Sequence, residues 1–359
     1  ENNPRVCMHS EKNNREIVRM KSQRVVLKER PRFQVPTEKC FRVEEADINA
    51  PGKGEILIQT VWLGMDPYLF SRVKKVSDQA KPIEIGEVMY GAAVGRVVAS
   101  NLAGFSEEDY VHGLWGWKDY HISDGSDVSK IPSGVSSPSH MLGALGAAGF
   151  GAYLANRNVL NVQPGDVVFC SAATGALGQI IGQIAKLKGG VVVGTASTEE
   201  KCQLATTSMG YDYCIEHSSR DLSQRLETAI PDGIDAMVVS TGGRSFDAAF
   251  PLMNKNGRVA ICGLMALYTS TSGPARNDNN MTLLNEVLLK RLRIQGSLVL
   301  DYLNTDIHRE FLQEMSSWIR LGAVKPVEHI TKGLENAPSA LRELFEGKNV
   351  GKSIVSVSD

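Results

Sequence analysis

The stretch Asp166-Val-Val-Phe-Cys-Ser171-Ala-Ala-Thr-Gly175-Ala-Leu-Gly178-Gln-Ile-Ile-Gly-Gln-Ile-Ala-Lys-Leu187 decides how the chain is read. It begins with a short, largely apolar run, the pattern of a strand buried on both faces. Its last ten residues carry Ile180, Ile181, Ile184 and Leu187 at helical spacing, which predicts a helix with one apolar face. Between them lies a turn with glycine at 175 and 178, and Ala173 where a further glycine is usual. Glycines there let a backbone approach a pyrophosphate and let the helix pack closely on its strand. The helix N-terminus adds free N–H groups and the positive end of a dipole. A tight strand-to-helix turn without a ligand is the plain alternative.

The text on either side of this motif differs. On the C-terminal side, strand-like runs at 191–195, 234–240, 257–262 and 293–299 alternate with helical patterns at 199–209 and 309–321. Ser197 or Thr198 is placed to cap the first of these helices. Such alternation predicts an α/β fold, a doubly wound parallel sheet of the Rossmann type. On the N-terminal side, from residue 23 to about 132, runs such as 55–61 and 93–99 alternate and are punctuated by Gly, Pro and Asp. Long helical periodicity is absent there, so a mainly β, barrel-like or sandwich-like domain is expected. The pattern changes near residue 140. A short helix at 337–346 and a strand at 352–357 close the chain.

The end of the second parallel strand reads the cofactor. An acid there binds the ribose 2′-hydroxyl of NAD. Residues 194–198 read Gly-Thr-Ala-Ser-Thr, with no acid before Glu199. Glu199 and Glu200 belong to a first helical turn, where acids are favoured anyway. Ser197 and Lys201 suit a 2′-phosphate, so NADPH is expected rather than NADH. For Lys201 the plain alternative is a solvated helix lysine.

The bulk numbers exclude other classes. The chain has 359 residues, 42% hydrophobic and 22% charged, with a formal net charge of −1. That is enough for two domains, and the balanced charge gives no pull toward nucleic acid or an anionic membrane. No apolar run approaches the roughly 20 residues that span a bilayer, so a cytoplasmic location is expected. Six cysteines are scattered singly, without a CxxC pair or a Cys/His cluster. Neither a metal site nor a disulfide framework is expected; Cys170, Cys214 and Cys262 end apolar runs and read as buried thiols. Residues 1–19 read as a disordered extension or a processed leader preceding the first strand; Glu1, Glu11 and Glu16 speak against an organellar transit peptide.

Beyond these patterns, the chain resembles a known family from residue 23 to its end. The marks are Arg24-Val-Val-Leu-Lys-Glu-Arg-Pro31, Phe41-Arg-Val-Glu-Glu45, Met65-Asp-Pro-Tyr68, the glycine turn, Gly182-Gln-Ile-Ala-Lys-Leu-Lys-Gly189, Gly257-Arg-Val-Ala-Ile-Cys-Gly263, Gly333-Leu-Glu-Asn-Ala-Pro338 and Gly347-Lys-Asn-Val-Gly-Lys352. They resemble the zinc-independent medium-chain dehydrogenases/reductases of the leukotriene B4 dehydrogenase, prostaglandin reductase and 2-alkenal reductase family. The bacterial NADPH-dependent curcumin reductases look most alike. The resemblance implies a GroES-like catalytic domain from residues 20–147 and 325–359, with the Rossmann domain at 148–324 inserted. Zinc-dependent relatives carry Gly-His-Glu where this chain has Gly86-Glu-Val-Met, so no metal is implied. It further implies NADPH-dependent reduction of the C=C bond of α,β-unsaturated aldehydes and ketones, and a homodimer.

Residue roles carry over by position. Tyr268 would serve the substrate carbonyl or donate the proton, and Tyr68 would shape the pocket. A phenol can do the first because it donates a hydrogen bond while neutral; for either tyrosine the alternative is a packing residue with a polar tip. Gly175, Ala176, Leu177 and Gly178 would take the pyrophosphate, Ser197 and Lys201 the 2′-phosphate, and Asn349 would lie near the phosphates. His217 would face the adenosine, or be a surface loop histidine. Ser240 would make a shortened contact to the cofactor, Cys262, Gly263, Leu264 and Tyr268 would pass the nicotinamide side, and Ser297, Leu298 and Val299 its carboxamide. The run 293–299 is a candidate subunit contact, although an internal strand is the simpler reading.

The chain departs from the family at several positions. Ser240 replaces an Asn, Leu69-Phe-Ser-Arg72 replaces Met-Arg-Gly-Arg, Gly151 and Ala147 replace Thr and Met, and Thr269 replaces an Asn. These changes imply an altered or larger pocket, or a weakened catalyst. A quinone reductase, and a cofactor-binding protein without efficient turnover, therefore stay open beside the enone reductase.

Overall fold

The computed structural model describes residues 20–31, 35–74, 81–269 and 280–358. The expectations for residues 1–19 and for the side chain of Thr269 lie outside these.

The N-terminal part is built on strands β1 (Met20–Leu27), β2 (Phe41–Ile48), β3 (Ile56–Gly64), β4 (Ala93–Ser100), β5 (Tyr110–Gly113), β6 (Tyr120–Ser123) and β7 (Val128–Lys130). β1 and β2 form an antiparallel pair. β3 carries β4 along one edge, and β6 along the first half of the other. Among the described residues, one α-helix interrupts this β region, α1 (Tyr68–Lys74), directly after the Asp66-Pro67 turn. It is too short to show a helical period in the sequence. Val25, Leu27, Ile56, Ile58, Leu69, Met89 and Trp117 are buried together in this core.

After helix α2 (Ala147–Leu154) the parallel unit begins. It alternates β8 (Val167–Cys170), α3 (Gly178–Leu187), β9 (Val191–Ala196), α4 (Glu199–Ser208), β10 (Tyr213–Glu216), α5 (Leu222–Ala229), β11 (Ile234–Val239), α6 (Gly243–Ala249) and β12 (Met253–Ile261). Helices α7 (Met265–Thr269) and α8 (Asn280–Lys290), strand β13 (Arg293–Gly296) and helix α9 (Asp306–Arg320) follow. The six parallel strands run in the order β10-β9-β8-β11-β12-β13, so the winding reverses between β8 and β11. That reversal opens a crevice at the carboxyl edge of the sheet.

Ile180, Ile181 and Ile184 are buried on the sheet, as their spacing predicts. Leu187 is not: it lies 48% exposed in the last turn of α3, lining a surface groove with Pro164 rather than the core. β13 corrects the simpler reading of its sequence. It is the last strand of the sheet, paired to β12 alone among the described residues. Cys170 is fully buried, but Cys214 and Cys262 are only partly so.

The chain then returns to the first unit. β14 (Glu328–Lys332), helix α10 (Ala337–Phe345) and β15 (Lys352–Ser356) follow, and β15 joins β3 antiparallel beside β6. Two buried glutamines of α3 fasten the crossing. Gln179 donates to and accepts from the backbone of Val327, each at 2.8 Å, and Gln183 accepts from Lys325 N–H at 2.7 Å. Side-chain amides can do this because they offer both donor and acceptor to the backbone.

Candidate active site

The glycine turn leaves β8 at Ser171 and enters α3 at Gly178. A Cβ at Gly178 would sit 2.2 Å from the Ala172 carbonyl oxygen, so close helix-to-strand packing requires glycine. A Cβ at Gly175 would meet the same oxygen at 3.1 Å, so its bareness matters more for whatever approaches from outside. The N–H groups of Ala176, Leu177 and Gly178 have no backbone partner among the described residues. They form an open row of donors at a helix N-terminus, which suits a pyrophosphate.

The loop joining α10 to β15 lies along this turn. Gly351 N–H donates to the Thr174 carbonyl at 2.7 Å, and Gly351 bridges Gly175. Asn349 is buried and its amide donates to the Gly351 carbonyl. From the end of β9, the Ser197 hydroxyl reaches the Gly347 carbonyl at 3.3 Å. The Lys201 ammonium donates to the carbonyls of Gly347 and Asn349. Lys201 forms no ion pair among the described residues, and burial lowers its pKa. A half-buried ammonium without a carboxylate, beside a serine and a row of free N–H groups, fits a phosphate ester. His217 is exposed at the end of β10, its N–H on the Ala196 carbonyl. Ser197, Lys201, His217, Asn349 and the glycine turn thus lie along one side of the crevice.

The other side comes from β11 to β13. The Ser240 hydroxyl is tied to the Ser171 carbonyl at 3.0 Å, and Thr241 bonds the Ser171 hydroxyl. Cys262 and Gly263 N–H both reach the Val239 carbonyl, and burial pushes the Cys262 thiol up to about 12. Leu264 is 40% exposed. Ser297 N–H bonds Ile261, after which Leu298 is exposed and Val299 packs inward. A Cβ at Gly151 would stand 3.4 Å from Leu177 and 3.6 Å from Val299, so the missing side chain leaves space between the two sides.

The two candidate tyrosines lie on α1 and α7. Tyr268, on α7, is half-buried, and its pKa is raised by burial, so its phenol stays protonated. Its ring meets Phe70 edge-on at 5.6 Å and Phe345 at 6.0 Å. Tyr68 opens α1 and is more deeply buried, which raises its pKa strongly. The Arg72 guanidinium carbon lies 5.8 Å from the centroid of its ring. Tyr68 is thus the first residue of α1, and Tyr268 meets the same helix through Phe70.

One feature escaped the sequence. Lys352, 2% exposed, donates to the Met65 carbonyl at 2.9 Å and pairs with Asp66. This buried pair fixes the Asp66-Pro67-Tyr68 turn to the residue after Gly351. Both partners sit in motifs that mark the family, yet 286 positions separate them, and no local spacing signals the contact.

Comparison with known proteins accords with this geometry. Residues 23–131 match the family described as the N-terminal domain of oxidoreductase, and residues 176–318 the zinc-binding dehydrogenase family. The chain is 40% identical over 340 residues to the NADPH-dependent curcumin reductase of Escherichia coli (strain K12), covering 95% of this chain and 98% of that one. The chain belongs to the NADP-dependent medium-chain dehydrogenase/reductase family. It is an oxidoreductase. A 2-alkenal reductase (NADP(+)-dependent) of Nicotiana tabacum is 35% identical, covering 86% of this chain and 88% of its own length. The crystal structure of CurA from Vibrio vulnificus in complex with NADPH superimposes with a TM-score of 0.88 at 39% identity, over 94% of this chain and 99% of that one. The Escherichia coli quinone oxidoreductase, at 19% identity and a TM-score of 0.73, shares the fold alone. Although one matched family is named for zinc, no group of three or more His, Cys, Asp or Glu among the described residues could hold a metal ion. Nor, among them, is any helix long and apolar enough to cross a membrane.

Proposed function

We propose that the chain reduces the C=C bond of α,β-unsaturated aldehydes and ketones, with residues 148–324 as the cofactor unit and 20–147 plus 325–359 as the catalytic unit. When bound, NADPH supplies the hydride that adds to the β carbon. The chain's own residues do the rest. The free N–H groups of Ala176, Leu177 and Gly178 receive the pyrophosphate, and Lys201 with Ser197 receives the 2′-phosphate. Tyr268 donates its phenolic hydrogen bond to the substrate carbonyl oxygen, where enolate charge collects as the hydride arrives. Solvent then protonates the α carbon. Tyr68 walls the pocket, and Phe70 and Phe345 hold the Tyr268 ring against rotation.

The observation that carries this reading is Tyr268: a half-buried phenol, kept neutral by burial, at the end of the segment that leaves the carboxyl edge of β12. A neutral donor is what an incipient enolate needs. The test is NADPH oxidation against a panel of enals, enones and quinones, with NADH as control. Enone turnover in the wild type that falls about a hundredfold or more in Tyr268→Phe, the order of one lost oxyanion donor, supports the reading. Turnover of quinones alone, or tight NADPH binding without turnover, overturns it.

A homodimer paired along β13 is part of the same proposal. That edge strand is unpaired on its outer side among the described residues, and Leu284, Leu288, Leu298 and Leu300 beside it are 58%, 71%, 45% and 62% exposed. An edge with an apolar fringe invites pairing. Sedimentation equilibrium should give a dimer that Leu288→Glu with Leu300→Glu dissociates; a wild-type monomer at micromolar concentration rejects it.

A further inference from the structure

Helix α4 turns two small residues inward. Cys202 and Ala205 are its buried residues, and the helix packs on β9 and β10. Strand alternation sends neighbouring residues of β10 to opposite faces. Ile215 joins the cluster under α5, and Cys214 packs with Leu204, Ala205 and Met209 under α4. The register partner of Cys214 on β9 is Gly194, which puts no side chain beside it. Cys214 and Cys202 therefore meet, and both are free thiols. The Cys214 thiol donates a hydrogen bond to the Cys202 sulfur, which holds the Cys202 thiol below its usual range and pushes the Cys214 thiol up. Burial opposes the first shift, and a backbone hydrogen bond at Ala196 supports it.

The pair stands at a sensitive place. Cys214 is partly exposed on the last strand of the sheet, next to Tyr213, which is 52% exposed. Cys202 directly follows Lys201 in the first turn of α4, where Thr198 caps the Lys201 N–H. The pair does not extend to a metal site, since no group of three or more His, Cys, Asp or Glu among the described residues could hold an ion. A thiolate beside a second thiol is the arrangement that an oxidant converts to a disulfide.

We propose that Cys202 and Cys214 are a dithiol that a hydroperoxide closes to a disulfide, and that closure weakens NADPH binding by displacing Lys201. The Cys202 thiolate attacks one peroxide oxygen. The O–O bond breaks, its electrons leave with the other oxygen, and that oxygen takes the Cys202 proton to become an alcohol, or water from hydrogen peroxide. The Cys214 thiol then attacks the sulfenic sulfur, the S–O bond breaks, and water leaves with the Cys214 proton. The two thiols lose two electrons and the hydroperoxide gains them. A covalent S–S bond is shorter than a contact between two thiols, so closure draws the first turn of α4 toward β10. Lys201 is in that turn, and its ammonium holds the Gly347 and Asn349 carbonyls. The proposal rests on Lys201 as the 2′-phosphate residue and not on the enone chemistry.

The experiment treats the full chain with hydrogen peroxide, removes the excess with catalase and blocks free thiols with iodoacetamide. Trypsin cuts after Lys201 and Arg220, so both cysteines fall in one peptide, residues 202–220. That peptide should lose two hydrogens, take no blocking group, and regain both thiols in dithiothreitol. In parallel, fluorescence titration should show NADPH affinity lowered about fivefold or more, the lower end for coupling between two sites. NADH affinity should not change, and dithiothreitol should restore that of NADPH. A double variant, Cys202→Ala with Cys214→Ala, should keep its NADPH affinity through the same treatment. The reversal in wild type supplies that control without a substitution. A peptide that keeps both thiols overturns the proposal, as does a closed disulfide with NADPH affinity intact. Equal losses for NADH, or the same loss in the double variant, overturn it too. Mass and binding are read without substrate, so failure here is distinct from failure to reduce enones.

Discussion

Two lysines reach the loop between residues 347 and 352 from opposite ends, and they are held in opposite ways. At the end near Gly347, Lys201 is half-buried and meets only backbone carbonyls. At the other end, Lys352 is almost fully buried and meets a carboxylate. A buried charge inside a finished structure needs its counter-charge built in, because desolvation is otherwise uncompensated. A charge that awaits a ligand is better left with weak partners that an anion can outcompete. The same residue type is thus structural at one end of the loop and available at the other. Between them lies Gly351, bridged to Gly175, so the loop ties the glycine turn to the helix that carries Tyr68 and Phe70.

The contrast can be broken most sharply at Lys352. Lys352→Met leaves Asp66, whose side chain is 17% exposed, without its counter-charge and should cost about 3 kcal/mol of stability, the lower end for a fully buried pair, read as a lowered urea midpoint. Adding Asp66→Leu should restore much of that loss, because no charge remains without a partner. If Lys352→Met alone is as stable as wild type, the pair is not structural. Lys201→Ala should behave the other way. Stability should change little, while NADPH affinity falls by about 1.5–3 kcal/mol, roughly ten- to a hundredfold, and NADH affinity stays the same. Equal losses for both cofactors, measured by fluorescence titration, would remove Lys201 from the 2′-phosphate.

The smallest effect is on pH. Burial lowers the Lys201 pKa in the free protein, and a bound phosphate raises it, so binding takes up a proton. NADPH affinity should be full below the lowered pKa and decline as pH rises through it. NADH affinity should show no such decline over the same alkaline range.

Much of the fold was legible because its signals are local. The alternation of apolar runs with helical patterns foretold the parallel sheet, and the glycine turn foretold its first crossover. α1 was not legible, since seven residues after Asp66-Pro67 are too few to show a period. Nor was the edge position of β13, because an apolar strand reads the same whether a neighbour covers it or a second chain does. The candidate residues at the carboxyl edge were legible by their place in motifs. Their partners were not: Gly347 and Asn349 for Lys201, and Phe70 and Phe345 for Tyr268, lie in other motifs or in none.

By itself the sequence determined what near neighbours decide. Strand, turn and helix at 166–187 follow from hydrophobic period and from glycines where a side chain would collide. The lack of an acid before Glu199 is likewise a local fact, and it favours NADPH. The tertiary structure decided which charges are paired. Only when β15 returns to β3 does Lys352 meet Asp66, and only when the loop before it lies on the glycine turn does Lys201 find carbonyls instead of a carboxylate. Electrostatic roles depend on distance in space and on desolvation, and neither is written in the spacing of residues along the chain.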